Sequence, residues 1–261
     1  MNFVLVTAGS IAVLLVMHGI TFAIGRRIGR YNVVDVTWGL GFVGVGAVAA
    51  LLGSGDLFRR ILLLVLAAVW GLRLAWHMVG KSAGKGEDPR YVALMGGDFS
   101  VGRVLRKIFA VQAAATWFVS LPLQVSATLG PTPTVLLPVF IAGVTLWVIG
   151  VFFEAVGDYQ LTRFKADPAH KGVVMDRGLW AWTRHPNYFG DASVWWGLWL
   201  ASIAGWVSLL TVLSPVLMTY FLMYATGARL LERHMRDRPG FSEYCSRTSF
   251  FIPRPPRSRI S

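Results

Sequence analysis

Arg184-His185-Pro186-Asn187-Tyr188-Phe189-Gly190-Asp191 runs directly into Ala192-Ser193-Val194-Trp195-Trp196, and the reading of the fold turns on this stretch. Two basic residues, a rigid X-Pro step, an amide and an acid stand at the mouth of an apolar run long enough to enter a bilayer. Pro186 presets the backbone for the first turn of a helix. Asn187 and Asp191 are four apart, so they share one face of that helix. Polar groups at the lip of a membrane span are costly, which marks this segment as functional rather than connective.

Composition agrees. Of 261 residues, 55% are hydrophobic and 15% charged, against about 25% charged in an ordinary soluble domain. Mean hydropathy is +0.56. These values imply one integral membrane domain over 1–261, with an expected disordered basic tail at 253–261. Cys245 is the only cysteine, so a disulfide framework or a thiolate metal cluster is excluded. No H-E-x-x-H pair and no nucleophile elbow occurs, and no metal is expected. Gly39-Leu40-Gly41-Phe42-Val43-Gly44 fits G-x-G-x-x-G literally, but it lies inside an apolar span. Close helix packing explains it better than a dinucleotide fold.

The pattern predicts an all-α, polytopic bundle of seven transmembrane helices over 2–24, 33–52, 61–80, 104–128, 134–157, 189–205 and 207–228, each near the ~20 residues a span needs. Gly130-Pro131-Thr132-Pro133 separates the fourth from the fifth. The net charge of +12 is concentrated in 25–32, 81–107, 158–187 and 229–261, in alternate loops. By the positive-inside rule these loops and the C-terminus are cytoplasmic, and the N-terminus is periplasmic or extracellular. The charge therefore reports topology and anionic lipid rather than nucleic acid.

Ionisable residues at membrane depth gather toward the cytoplasmic ends: Asp35, the pair Arg73 and His77, the pair Glu154 and Asp158, Asp191, Arg229 and Glu232. Such residues mark sites by default. Their clustering at one end disfavours a path across the membrane.

Asp35-Val36-Thr37-Trp38-Gly39-Leu40-Gly41, Trp70-Gly71-Leu72-Arg73, Gly84-Lys85-Gly86-Glu87-Asp88-Pro89-Arg90-Tyr91 and Arg184 to Asp191 occur together and in this order. Over roughly 30–255 the chain resembles the bacterial membrane proteins of the steroid 5-alpha-reductase superfamily. That resemblance implies NADPH-dependent reduction of an activated carbon–carbon double bond in a steroid or other hydrophobic lipid, in a bacterial inner membrane. It implies cofactor contacts from Asp158, Arg163, Lys165, Arg184, His185, Asn187, Tyr188, Asp191 and Arg229. Arginine and lysine suit a 2′-phosphate through charge-assisted bonds. Hydride transfer to an enone also needs a donor at the carbonyl, for which Asp35, Tyr91 and Tyr188 are the catalytic candidates. Trp38, Trp70 and Arg73 are the substrate-binding candidates.

The sequence departs from the reductases in two places. Asp191 stands where a glutamate is usual, and Trp70 is the nearest match to a tyrosine on the third span. An R-H-P-x-Y element also occurs in isoprenylcysteine and phospholipid methyltransferases. An S-adenosylmethionine-dependent lipid methyltransferase is therefore the alternative, and a non-enzymatic lipid-binding protein the third reading.

Overall fold

The computed structural model describes residues 2–225 and 227–256. Among them the regular structure is helical: α1 (Asn2–Ile28), α2 (Val34–Leu52), α3 (Leu57–Ser82), α4 (Pro89–Met95), α5 (Val101–Val104), α6 (Ala110–Val119), α7 (Leu121–Ser126), α8 (Leu137–Ala166), α9 (Pro186–Ser202), α10 (Trp206–Leu209), α11 (Leu213–Tyr220), α12 (Ala228–Met235) and α13 (Phe241–Arg247). Five stretches are long and apolar enough to cross a membrane: Asn2–Ile28, Val34–Leu52, Leu57–Ser82, Thr134–Ala166 and Trp206–Met235.

The other two expected spans have a different form. The stretch expected as one helix over 104–128 is segmented. A π-helical turn occupies Leu105–Phe109, and α6 ends at Val119, shortly before Pro122, whose ring and missing N–H break the helical ladder. α9 is continuous but has 17 residues, slightly short of a full crossing. It also begins at Pro186, three residues earlier than expected. Asp191 therefore lies in the second turn and is buried, away from the helix end that it would otherwise cap. α8 continues to Ala166, so Asp158, Arg163 and Lys165 sit on helix rather than in a loop.

The chain divides into two compact units, residues 1–140 with 201–214, and residues 141–200 with 215–261. In the first, small residues let α2 approach its neighbours. A Cβ on Gly39 would stand 2.5 Å from the Gly71 carbonyl oxygen of α3, and one on Gly44 3.0 Å from Met17 of α1. The glycines of the G-x-G-x-x-G string are thus packing surfaces. Thr21 and Thr37 add a 2.6 Å hydroxyl contact between α1 and α2. Arg59, at 1% exposure, holds the 126–132 turn through Ser126 Oγ (2.8 Å), Thr132 Oγ1 (3.0 Å) and the carbonyls of Ser126, Leu129 and Gly130. Nothing in the sequence around Arg59 marks it for this role.

In the second unit, α8 and α9 run antiparallel along glycines spaced seven apart. A Cβ on Gly150 would meet the Gly190 oxygen at 2.6 Å, and one on Gly197 would meet the Gly143 oxygen at 2.7 Å. A seven-residue repeat keeps one seam of each helix facing the other. Beyond α13, Arg184 N donates to Ser249 O (2.9 Å), Thr183 Oγ1 to Phe251 O (2.8 Å) and Arg254 N to Trp182 O (3.0 Å). The tail expected from 253 is therefore anchored at Arg254, and 257–261 lie outside the described residues.

Candidate functional site

Each unit carries a polar cluster. The first is built on the Gly84–Tyr91 segment. Asp88 caps α4 by accepting from Arg90 N (2.9 Å), Pro89 opens the helix, and Gly96 closes it in the left-handed region at φ 60°. These are the residue types that helix ends favour. The Glu87 carboxylate accepts from Tyr31 N (2.5 Å) and Asn32 N (2.9 Å), tying the segment to the turn before α2. Arg30 reaches the carbonyls of Ser82 (2.6 Å) and Lys85 (2.9 Å).

This anchoring brings Tyr91 and Arg90 to Asp35. The Tyr91 hydroxyl donates to Asp35 Oδ1 at 2.5 Å, and Arg90 donates to Asp35 Oδ2 at 3.0 Å. Arg90 also bonds Asp88 Oδ2 at 2.9 Å, and Gln112 Nε2 of α6 donates to the Tyr91 oxygen at 2.9 Å. The order is Gln112 to Tyr91 to Asp35, with Arg90 on the far side of the carboxylate. Burial, and after it the Asp35 charge, pushes the Tyr91 hydroxyl well above the ordinary phenol range. Burial works against the Arg90 charge, but its hydrogen bond to Asp88 and the two nearby carboxylates outweigh it and raise Arg90.

Two of the three catalytic candidates, Asp35 and Tyr91, are thus in contact. Arg90 and Gln112 were missed. Arg90 stands inside the quoted G-K-G-E-D-P-R-Y motif, next to Tyr91, and that adjacency was the available signal. Gln112 has none, because an amide in an apolar run is unremarkable. Trp38 packs edge-on against Phe42 with centroids 5.2 Å apart, and Phe42 lies 5.6 Å from Trp70. Trp70 is fully buried and Arg73 half-buried on the same helix.

The second cluster is built on the motif at the head of α9. Arg184 Nε donates to Glu232 Oε1 at 2.7 Å, and its Nη1 to the carbonyls of Cys245 (3.1 Å) and Thr248 (2.7 Å). His185 Nε2 meets the same Glu232 oxygen at 3.0 Å. The His185 ring stacks on Tyr188 at 5.7 Å. Burial is the main influence on the imidazole and lowers its pKa, against the opposing pull of Glu232. Its Nδ1 is buried without a hydrogen-bond partner among the described residues. Asn187 Nδ2 donates to Asp158 Oδ1 at 3.0 Å, across the α8–α9 seam.

Arg184, His185, Glu232 and Lys165 line a cavity of about 480 Å³. Lys171 and Arg238 add positive charge, while Phe164, Trp180 and Phe241 supply apolar wall. Arg163 bonds Tyr159 Oη at 3.0 Å on the exposed side of α8. Arg229 sits over the Tyr224 ring at 4.5 Å. Neither is part of the cavity lining, and nor are Asp158, Asn187, Tyr188 and Asp191.

The family model described as protein of unknown function (DUF1295) matches residues 21–248. The chain belongs to this steroid 5-alpha-reductase-like family. Two curated relatives carry the name 3-oxo-5-alpha-steroid 4-dehydrogenase 1. The Mus musculus protein is 28% identical over 117 residues, covering 44% of this chain and 42% of the relative. The Rattus norvegicus protein is 29% identical over the same length and shares. The matched stretch thus spans less than half of either relative. No solved structure matches. The chain is an all-helical membrane protein of a reductase-like family.

Proposed function

We propose that this chain is a membrane oxidoreductase that uses NADPH to reduce a carbonyl-conjugated double bond in a hydrophobic lipid. The observation that carries the reading is the Tyr91 hydroxyl, held between Gln112 and Asp35 in a family of reductase-like proteins. On this reading Tyr91 is the hydrogen-bond donor to the substrate carbonyl and Asp35 its positioning partner. Gln112 fills one lone pair of the phenolic oxygen, which directs the single O–H. Its raised pKa keeps that proton on the oxygen at neutral pH. On substrate binding the O–H turns from Asp35 Oδ1 to the carbonyl oxygen, where a positioned donor stabilises the developing negative charge.

The second unit's residues fit an anionic dinucleotide. The cavity has the volume of a small-molecule site. Lys165, Lys171 and Arg238 supply charge for phosphates, and Phe164, Trp180 and Phe241 supply flat apolar wall. The buried Nδ1 of His185, still without a partner, is a further group for a ligand to satisfy. When bound, NADPH supplies a hydride. Asn187, Asp158, Asp191, Arg163 and Arg229 belong to the proposal through the family resemblance. The segmented 101–126 stretch and α9 complete seven crossings in this reading, with the C-terminus cytoplasmic and the N-terminus on the opposite side.

Thermal unfolding of the purified protein in detergent tests the reading. A ligand that binds only the folded state raises the midpoint in proportion to its affinity. NADPH is expected to raise it and S-adenosylmethionine to leave it unchanged. The reverse pattern assigns the cavity to methyl transfer, and no shift with either leaves a lipid-binding protein without a cofactor.

A further inference from the structure

A second cavity of the 141–261 unit, about 440 Å³, is lined by α8, α9, the end of α11 and the segment after α13. Its walls include Phe189, Trp196, Met223, Phe251 and Ile252, with Arg254 at the lining. The polar atoms on these walls are already satisfied within the protein. Ser193 Oγ donates to Phe189 O at 2.8 Å, Ser249 Oγ to Ile252 O at 2.6 Å, and Thr219 Oγ1 to Pro215 O at 2.7 Å while accepting from Trp196 Nε1 at 3.1 Å. A guest therefore meets hydrocarbon and aromatic surface, with no spare donor or acceptor along the walls. Arg254 is the exception. Its side chain is exposed and makes no hydrogen bond or ion pair among the described residues, while its backbone is fixed to Trp182 O.

The floor is preformed. Phe251, 8% exposed, is held by the bond from Thr183 to its carbonyl and packs against Phe189 with centroids 6.1 Å apart. A groove that needs no ordering on binding loses little affinity to conformational entropy.

We propose that this groove is a binding site for one acyl chain of an anionic bilayer phospholipid, with the phosphate at Arg254. Charge complementarity selects the occupant. A guanidinium suits a phosphate through paired, charge-assisted bonds, and the rest of the groove offers only apolar contact. The site is separate from the cavity assigned above to the cofactor, because no residue lines both.

The test uses the full chain in phosphatidylcholine nanodiscs carrying a minor fraction of chain-brominated lipid, either phosphatidylglycerol or phosphatidylcholine, with tryptophan quenching as the readout. Brominated phosphatidylglycerol is expected to quench more at equal mole fraction. The excess should vanish in Arg254→Gln and in Trp196→Phe, which removes the reporter from the groove wall. The other tryptophans report bulk lipid equally in every sample. Equal quenching by the two lipids overturns the proposal. So does an excess that survives Arg254→Gln, since it would come from the chain's net positive charge, or one that survives Trp196→Phe, since it would arise elsewhere.

Discussion

Both units pair an arginine with an acid beside a titratable ring, and they use the trio in opposite ways. In the first, the carboxylate of Asp35 takes its bonds from Arg90 and from the Tyr91 phenol, which in turn accepts from Gln112. The Arg90 side chain is 40% exposed. In the second, Glu232 takes bonds from Arg184 and His185, and Arg184 Nη1 donates to two backbone carbonyls at the end of α13. Its side chain is 12% exposed. In the proposed function the first trio holds the group that acts, while the second ties distant parts of the chain together around a cavity. The conspicuous motif residue is the more architectural of the two arginines.

Removing the phenolic oxygen breaks the comparison most directly. Tyr91→Phe keeps the ring and deletes the donor, so turnover of a lipid enone is expected to fall by roughly 10² to 10⁴, the usual worth of a positioned acid or base. NADPH affinity, which the proposed function assigns to the second unit, should be unchanged. A variant that turns over at the wild-type rate removes Tyr91 from the site and leaves Tyr188 as the remaining tyrosine candidate.

The two arginines should separate by stability. Arg184→Ala leaves Glu232 with His185 alone and takes the donor from two carbonyls in a largely buried setting, and a loss of about 3 kcal/mol is expected, at the lower end for a broken buried pair. Arg90→Ala touches a pair that is substantially solvated, where about 1 kcal/mol or less is expected. Chemical denaturation in mixed micelles measures both. Similar losses would mean that the two trios are alike after all.

The seam between α8 and α9 should respond to a single methyl. A Cβ on Gly190 would stand 2.4 Å from Glu154 N and 2.5 Å from Gly150 O, with backbone on both sides and nothing flexible to yield. Gly190→Ala is expected to cost about 1–3 kcal/mol, the range for overpacking. Forcing the helices apart should also lengthen the bond between Asn187 and Asp158. Weaker NADPH binding in this variant would tie the seam to the cofactor. Stability loss with unchanged binding would confine it to architecture.

How much of this was legible follows from the range of each signal. The helical class and the five long spans were legible because apolar length is a local property. α4 was not drawn from the sequence, although its Asp88-Pro89 start and Gly96 stop are local chemistry. The start of α9 at Pro186 could be anticipated from the proline, although the span was drawn three residues late. The segmented stretch after Val101 was not legible, since apolar content hides a π turn and a single proline within an apolar run. The bond from Tyr91 to Asp35 joins residues 56 apart and that from Arg184 to Glu232 residues 48 apart. Composition places such residues at the same depth and cannot say which of them meet. Arg59 shows the same limit: its charge was visible, and its five bonds to the 126–132 turn were not.

The smallest expected effect concerns His185. Burial holds its folded-state pKa below that of the unfolded chain, against the pull of Glu232. As pH falls through the ordinary histidine value of ~6.5, the unfolded chain takes up a proton that the folded protein refuses. Stability should therefore decline from about pH 7 downward, with the decline ending once the pH passes below the lowered folded value. For one proton the slope cannot exceed about 1.4 kcal/mol per pH unit. His234 and His170 also line the cavity, and Arg184 and Glu232 face the ring, so the assignment needs a variant. His185→Gln retains a polar group toward Glu232 and does not titrate. Denaturation midpoints measured from pH 8 to pH 5 should show a shallower acid slope in the variant than in the wild type. A slope that is unchanged would move the proton uptake to another group and leave the second trio insensitive to pH in this range.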